Sequence, residues 1–292
     1  MEILERVADL MRSRPVQFEP AHGGYTDAQK GRVTFDDGRP AFLKAATSDD
    51  TACWLRTEFA VYSHISKHGI VDFLPEVLAW DDDGSRPILV LEDLSSAQWP
   101  PPWEASHVQR VVDVLSRVRT TPTMVDMLKL EGYREYLCGW PRVAANPQPF
   151  LSLGLCTSAW LEAALPVLIA AELAVPLVGE DFLHLDVRSD NLCFLEGRTV
   201  LIDWNWSCAG NGTVDVAFWL PSLHAEGGPA PETILPDRPD MACAVSGFWA
   251  SKTDLSKHDV RRRQAEISVL KTAFAWAVRS LCLPQPVPPL NQ

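Results

Sequence analysis

Four side chains between residues 184 and 203 have the types and the spacing that phosphoryl transfer requires. His184, Asp186 and Asn191 follow the order H-x-D-x4-N, and Asp203 comes later in the same segment. NLCF and TVLID read as short strands joined by a Glu-Gly turn, and such a hairpin brings Asn191 and Asp203 to one site. An ionised carboxylate can hydrogen-bond an attacking hydroxyl, and amide and carboxylate oxygens are ligands that Mg²⁺ prefers. The pattern predicts Asp186 as the catalytic carboxylate and Asn191 with Asp203 as a magnesium site.

This segment resembles the catalytic loop of the protein-kinase-like superfamily, and more closely that of the aminoglycoside phosphotransferase family of small-molecule kinases. Lys44, on the strand-like PAFLKAA, stands where the family has its phosphate-orienting lysine. Glu58, in the first long helical segment, matches the acidic partner of that lysine, and Asp215 in VDVAFW matches a buried aspartate that braces the catalytic loop. The resemblance covers residues from about 16 to 280. It implies a bilobal, protein-kinase-like α+β fold that binds ATP.

The resemblance also implies roles for further residues. Lys44 would contact the α- and β-phosphates of ATP, and Arg188 would stabilise charge on the transferring phosphoryl group. The adenine base would meet the backbone of Glu92 and Leu94 in LVLEDL. The apolar floor under the base is assigned to Cys193 and Ile202, and the loop that covers the phosphates is assigned to Gly23, Gly24, Tyr25 and Thr26.

The same residue types also have structural explanations. A lysine on a strand is usually solvated, and a glutamate on a helix is a good helix former. His184 is expected to bond backbone groups, and Trp204 and Trp206 are expected to pack in a core or at its rim. The chain has no Ala-Pro-Glu motif after Asp203, and Trp204 follows that aspartate where protein kinases have Phe-Gly. These departures favour small-molecule kinases over protein kinases.

The elements that must position these residues divide near Ser95. Residues 1–94 read as a nucleotide-binding lobe with a mostly antiparallel sheet of about five strands, which includes the hairpin GRVTF and PAFLKAA. One long helix over 51–68 should end at Gly69, and the apolar spacing of residues 3–11 predicts an amphipathic helix. Residues 95–292 begin with a proline-rich crossing and read as a mainly helical lobe with the catalytic loop.

Composition excludes several classes of protein. Lys and Arg number 26 against 38 Asp and Glu, a net charge of −12, which argues against a nucleic-acid or acidic-membrane partner. The 7 cysteines are irregularly spaced, which argues against a disulfide framework. The start of the chain lacks the pattern of a signal peptide. No apolar stretch is long enough for a membrane-spanning helix without being interrupted by charged residues or proline. The sequence therefore predicts a cytoplasmic protein, and it indicates no oligomeric state.

The function that the sequence favours is ATP- and Mg²⁺-dependent phosphorylation of a hydroxyl on a small molecule, an aminoglycoside or another antibiotic. The acidic charge is compatible with a cationic substrate. Besides Asp186, the candidate substrate contacts are Asn205, His224 and Glu226, chosen for their nearness in sequence. One alternative keeps the fold and takes a metabolite such as a choline-like amine, a glycated amine or a sugar. Another alternative is a nucleotide-binding pseudokinase that acts as a binding module.

Overall fold

In this computed structural model, the described residues are 2–21, 28–69, 72–253 and 260–286, without the side chains of Glu2 and Arg261. The strands are β1 (Pro15–Pro20), β2 (Gln29–Phe35), β3 (Pro40–Ala45), β4 (Val77–Asp81), β5 (Ile88–Glu92), β6 (Asp181–Leu183), β7 (Leu192–Leu195), β8 (Arg198–Leu201) and β9 (Cys208–Gly210). The helices are α1 (Glu2–Met11), α2 (Asp49–Lys67), α3 (Ala105–Arg119), α4 (Arg134–Leu137), α5 (Trp140–Ala145), α6 (Gln148–Leu151), α7 (Ser158–Leu173), α8 (Thr213–Ala225), α9 (Pro231–Ile234), α10 (Pro239–Ala250) and α11 (Val260–Ser280).

The chain divides into two compact units. The first comprises Met1–Pro100 with Asp190–Ser207, and the second comprises Pro101–Ser189 with Cys208–Gln292. This division differs from a single boundary near Ser95, because the β7–β8 hairpin belongs to the first unit. Gln98 and Phe194 exchange two backbone hydrogen bonds of 2.9 Å, and Cys193 and Val200 pack on Leu94. These contacts attach the hairpin to the strands that precede it.

An antiparallel sheet of order β1-β2-β3-β5-β4 forms the centre of the first unit. The acidic turn between β2 and β3 closes with Phe35 N–H donating to the Arg39 carbonyl at 3.0 Å, and Gly38 supplies the positive φ of 83°. Apolar side chains of β2, β3 and β5 are buried together with Val7 of α1, and Ile3, Leu4, Leu10 and Met11 pack against them. The predicted hairpin and amphipathic helix are confirmed.

Local signals fix both ends of α2. Ser48 caps the start, because its hydroxyl accepts the Thr51 N–H at 3.2 Å, and Asp49 and Asp50 lie in the first turn, where carboxylates are favoured. Gly69, with φ of 72°, follows the helix as the sequence predicted. The buried face of α2 includes Glu58, and this orients that glutamate toward the sheet.

Helices build most of the second unit, where α10 packs against α7 and α11. Strands β6 and β9 pair antiparallel, and in the sequence they come before and after the segment that contains the β7–β8 hairpin. Asp181 at the start of β6 accepts the Gly212 N–H at 2.9 Å just before α8, and residues 184–189, the predicted catalytic loop, follow β6 directly. Among the described residues, no helix combines the length and apolarity that crossing a bilayer requires.

Candidate active site

Lys44 on β3 and Glu58 on α2 form a buried ion pair in the first unit. Lys44 Nζ donates to Glu58 Oε1 at 2.8 Å and to Oε2 at 3.0 Å, and the Tyr62 hydroxyl donates to Oε1 at 2.8 Å. Burial alone would lower the pKa of Lys44, but the carboxylates of Glu58 and Asp203 outweigh it and raise that pKa above its ordinary value. Lys44 is therefore held as an ammonium with a fixed direction.

Asp203 reaches the same ammonium from the β7–β8 hairpin. Lys44 Nζ donates to Asp203 Oδ1 at 2.5 Å, although the two residues are 159 positions apart in sequence. Asp203 has left-handed backbone angles, φ 64° and ψ 58°, and such strain in a residue other than glycine is typical of functional sites. The Ile202 N–H donates to the Asn191 carbonyl at 2.9 Å, so the hairpin brings Asn191 beside the residue that precedes Asp203.

A cavity of about 30 Å³ in the first unit is lined by Lys44, Glu58, Asp203, Asn205 and Lys30, among others. Asn205 Oδ1 is buried and has no hydrogen-bond partner among the described residues. An unsatisfied amide oxygen beside a carboxylate suits a hard cation, which prefers oxygen ligands. The donor set therefore fits Mg²⁺, with Asp203 and Asn205 as the residues that would hold it here.

Lys30 is a second cation in this cavity that the sequence reasoning missed. It lies directly opposite Lys44 in the pairing of β2 with β3. Burial lowers the pKa of Lys30, and the charge of Lys44 lowers it further, while Asp203 opposes the shift. Two ammonium groups side by side suit a polyphosphate, whose charge would relieve their mutual repulsion.

A larger cavity of about 220 Å³ also lies within the first unit, and Lys44 lines it as well. Glu92, Leu94 and Ile202, which were expected to meet the nucleotide base, are in its lining. Cys193 lies in the buried cluster with Leu94 and Val200, and burial raises the pKa of its thiol to about 12. The remaining lining residues are Arg32, Phe42, Pro75, Leu91, Asp93, Ser95 and Trp99.

In the second unit, Asp215 at the start of α8 holds the backbone of the predicted catalytic loop. Its Oδ2 accepts the His184 N–H at 2.8 Å, and its Oδ1 accepts the Leu185 N–H at 2.7 Å. Leu185 has a positive φ of 61°, a conformation that costs a non-glycine residue about 1–3 kcal/mol. The Asp186 N–H donates to His184 Nδ1 at 3.2 Å, so His184 bonds backbone as expected. Burial raises the pKa of Asp215 to about 7.

Arg188 lies beside Asp186 in the second unit, and Lys252 and Tyr136 feel its charge. Arg188 Nε lies 3.6 Å from Asp186 Oδ1. Lys252 Nζ donates to the Tyr136 hydroxyl at 2.7 Å and lies 3.8 Å from the centre of the Phe248 ring. Burial lowers the pKa of Lys252 to about 8, and the charge of Asp186 partly opposes this shift. A substrate next to Asp186 would therefore meet positive charge as well as negative.

The three candidate substrate contacts have different surroundings. Asn205 belongs to the cavity of Lys44 and Asp203 in the first unit. Glu226, at the end of α8, accepts the Ser189 hydroxyl at 2.6 Å and the Trp103 indole N–H at 2.8 Å, so both of its oxygens bond to protein groups. His224 Nδ1 lies 3.0 Å from the Gly228 carbonyl and is exposed. The predicted phosphate-covering residues Gly23, Gly24, Tyr25 and Thr26 lie outside the described residues.

Comparison with known proteins identifies the family and the fold. The model of the family described as "APH: Phosphotransferase enzyme family" matches residues 17–235. No curated protein matches the sequence. A thermostable mutant of aminoglycoside phosphotransferase APH(4)-Ia, in a ternary complex with ADP and hygromycin B, is similar in fold with a TM-score of 0.59. It is 16% identical, and the match covers 96% of this chain and 99% of that chain.

Two further solved structures share the fold. A choline/ethanolamine kinase family protein from Mesorhizobium loti has a TM-score of 0.61 and 14% identity, with 96% of this chain and 97% of that chain covered. Spectinomycin phosphotransferase APH(9)-Ia, in complex with ADP and spectinomycin, has a TM-score of 0.59 and 13% identity, with 94% and 97% covered. The predicted kinase-like α+β fold is confirmed. The chain belongs to the APH phosphotransferase enzyme family and is a small-molecule phosphotransferase.

Proposed function

We propose that this enzyme transfers the γ-phosphoryl group of ATP, with Mg²⁺, to a hydroxyl of a small molecule. The observation that carries the proposal is the position of Lys44, whose ammonium is held by Glu58 and Asp203 and lines two cavities. One cavity is apolar enough for a base, and the other collects two lysines with oxygen ligands for a cation. A nucleoside triphosphate likewise has an apolar base at one end and phosphates, which bind a metal, at the other.

The phosphate side of the proposal uses four side chains of the first unit. Lys44 and Lys30 supply positive charge for the phosphate oxygens, and Asp203 and Asn205 supply oxygen ligands. Bound Mg²⁺ would neutralise charge on the β- and γ-phosphates. Asn191 has its backbone beside Ile202, which keeps it a candidate for the same metal.

The transfer step is assigned to Asp186 of the second unit. The substrate hydroxyl oxygen forms a bond to the γ-phosphorus, the bond from that phosphorus to the β,γ-bridging oxygen breaks, and ADP leaves. The hydroxyl proton passes to the Asp186 carboxylate, whose backbone is fixed through His184. Arg188 lies close enough to Asp186 to stabilise the equatorial phosphoryl oxygens during transfer.

For the substrate, we propose a hydroxyl-bearing antibiotic, with aminoglycosides as the first class to test. APH(4)-Ia and APH(9)-Ia, which share the fold, were solved with hygromycin B and spectinomycin. A metabolite is the second candidate, because the fold is shared with a choline/ethanolamine kinase family protein. Lys252 and Arg188 near Asp186 favour, in either class, an acceptor hydroxyl that has no ammonium group directly beside it. The cysteines are all free thiols, which supports a cytoplasmic location for the enzyme.

The proposal is tested by ADP release with a panel of aminoglycosides, uncharged antibiotics, amino alcohols and sugars. We expect turnover on at least one class, and a fall in kcat of about 100-fold or more in Asp186→Asn, because the amide cannot take the hydroxyl proton. Asp126→Asn is the matched control, since Asp126 is exposed in the same unit. ADP binding without turnover on the whole panel would instead support the pseudokinase alternative.

A further inference from the structure

The backbone carbonyl of Leu94, at the edge of the 220 Å³ cavity, already accepts two hydrogen bonds. The Ala97 N–H donates to it at 3.0 Å, and the Trp99 indole N–H donates to it at 3.2 Å. A carbonyl oxygen has two lone pairs, so a third donor would find no good acceptor there. By contrast, the Leu94 N–H donates to no other described residue. At Leu94 the cavity therefore offers a donor and no acceptor.

The Trp99 side chain is fixed in this position by its neighbours. Gln98, the preceding residue, is bonded through its N–H and its carbonyl to Phe194 on β7, with both distances 2.9 Å. The Trp99 ring packs against the buried cluster of Leu94, Cys193 and Val200. The indole N–H is thus directed at the Leu94 oxygen by packing as well as by the hydrogen bond, and a ligand cannot displace it without disturbing this cluster.

Adenine and guanine present different edges to such a site. Adenine has a donor at N6 followed by an acceptor at N1, whereas guanine has an acceptor at O6 followed by donors at N1 and N2. Lys44 lines the same cavity and would attract the phosphate end of a nucleotide, and we take the base to present its N1 edge to residues 92–94. Adenine N1 can then accept the Leu94 N–H, while the adenine C2–H, which needs no acceptor, faces the Leu94 oxygen.

In either position that guanine could take, one of its N–H donors has no acceptor. In the position of adenine, its N1–H would face the Leu94 N–H, donor against donor. If it shifts until O6 accepts the Leu94 N–H, its N1–H faces the Leu94 oxygen, whose lone pairs are occupied by Ala97 and Trp99. A buried donor without an acceptor weakens binding by about tenfold or more.

We propose that Trp99 makes the enzyme selective for adenine over guanine nucleotides by occupying the Leu94 carbonyl. Trp99 is therefore a specificity-determining residue. The inference rests on the proposed function, since it takes the 220 Å³ cavity as the base site. It goes beyond that function because the kinase fold alone does not decide between ATP and GTP.

Calorimetric titration of the whole chain with ADP, GDP and IDP, each with Mg²⁺, tests the proposal without an acceptor substrate. The wild type should bind ADP about tenfold or more tightly than GDP and IDP. Trp99→Phe keeps an aromatic ring but removes the N–H, so the ADP-to-GDP ratio of affinities should fall about tenfold. Trp80→Phe is the matched control, because Trp80 stacks on Phe59 at 4.1 Å and does not line this cavity, and its ratio should equal that of the wild type.

The comparison with IDP keeps the proposal falsifiable even if Trp99→Phe does not fold. Hypoxanthine has the N1–H of guanine without the 2-amino group. Binding of IDP as tight as that of ADP, with GDP weak, would mean steric exclusion of the amino group and would overturn the proposal. An unchanged ratio in folded Trp99→Phe, or equal affinity of the wild type for all three, would also overturn it while leaving the proposed function intact. Failure to bind any of the three nucleotides would overturn both.

Discussion

Each unit contains buried carboxylates, but the two units satisfy them with different partners. In the first unit, Glu58 is 1% exposed and faces the Lys44 ammonium, with Asp203 on the other side of that ammonium. In the second unit, Asp215 is 2% exposed and Glu172 is 0% exposed, and the hydrogen bonds to both come from backbone N–H groups. The first arrangement fixes a charge, and the second fixes the path of the chain.

This difference assigns different tasks to the two kinds of carboxylate. An ammonium held between Glu58 and Asp203 can attract phosphate oxygens from a direction set before the ligand arrives. Asp215 instead stabilises the left-handed turn at Leu185 and so determines where Asp186 lies. Removing a charge from the first arrangement should affect nucleotide binding, whereas changing Asp215 should affect turnover with nucleotide binding intact.

The largest effect is expected for Lys44→Met. Loss of the ammonium removes charge from the phosphate side and leaves Glu58 buried without its cation, so we expect kcat/KM to fall about 100-fold or more and stability to fall by about 3 kcal/mol. Steady-state kinetics and urea unfolding measure the two effects, and calorimetry with ADP measures the loss of nucleotide affinity. Lys67→Met is the control, because Lys67 is exposed on the same helix as Glu58. A variant with kcat/KM within threefold of the wild type would exclude Lys44 from the phosphate site.

A smaller effect, confined to turnover, is expected for Asp215→Asn. The amide has one acceptor oxygen, so its NH₂ group would face either the His184 N–H or the Leu185 N–H, and the loop that ends at Asp186 would shift. Because the reacting groups must be held in a precise geometry, this shift of the loop should lower kcat about tenfold or more, while the Kd for ADP stays that of the wild type. Asp113→Asn, at an exposed position of α3, is the matched control. Equal losses in kcat and ADP affinity would contradict the separation of tasks between the units.

Much of this arrangement could be predicted because its signals are local. The β7–β8 hairpin, the cap of α2 and the backbone bonding of His184 each depend on residues close together in sequence. The position of Lys30 could also have been predicted. When strand pairing is continued from the bond between Phe35 and Arg39 at the turn, it reaches Lys30 opposite Lys44.

Other features depend on contacts between distant residues and have no local signal. One of the two hydrogen bonds to the Glu226 carboxylate comes from Trp103, which is 123 positions away in sequence. Glu226 was predicted to contact substrate because it lies near the motif in sequence, but its carboxylate binds Ser189 and Trp103. The assignment of residues 190–207 to the first unit depends on packing against Leu94 and Gln98. The two bonds to the Leu94 carbonyl likewise require the fold of residues 94–99 around β7.

The smallest effect on turnover is expected for Glu172→Gln. This variant tests whether a carboxylate bonded only to backbone N–H groups is neutral, and the measurement is the free energy of unfolding. Glu172 accepts the Gly139 N–H at 2.7 Å and the Trp140 N–H at 3.0 Å, and burial raises its pKa from 4.5 to about 8. Between these values the folded chain keeps a proton that the unfolded chain releases. This group should therefore lower the free energy of unfolding as pH rises from about 4.5 to 8 and have no further effect above that range.

The side-chain amide introduced by Glu172→Gln cannot ionise, so that part of the pH dependence should disappear while kcat is unchanged. Near pH 5, where residue 172 is neutral in both folded proteins, we expect urea unfolding to find the variant less stable, because its NH₂ group faces one of the two backbone N–H groups. Between pH 5 and pH 9 the variant should gain about 1–3 kcal/mol of stability relative to the wild type. Glu162→Gln, exposed on the same helix, should retain the wild-type profile. A variant that gains no stability relative to the wild type over this range would show that two backbone N–H groups are enough to hold a buried carboxylate ionised. In that case the carboxylates of the second unit would be charged groups like those around Lys44, and the contrast between the units would lie in their partners alone.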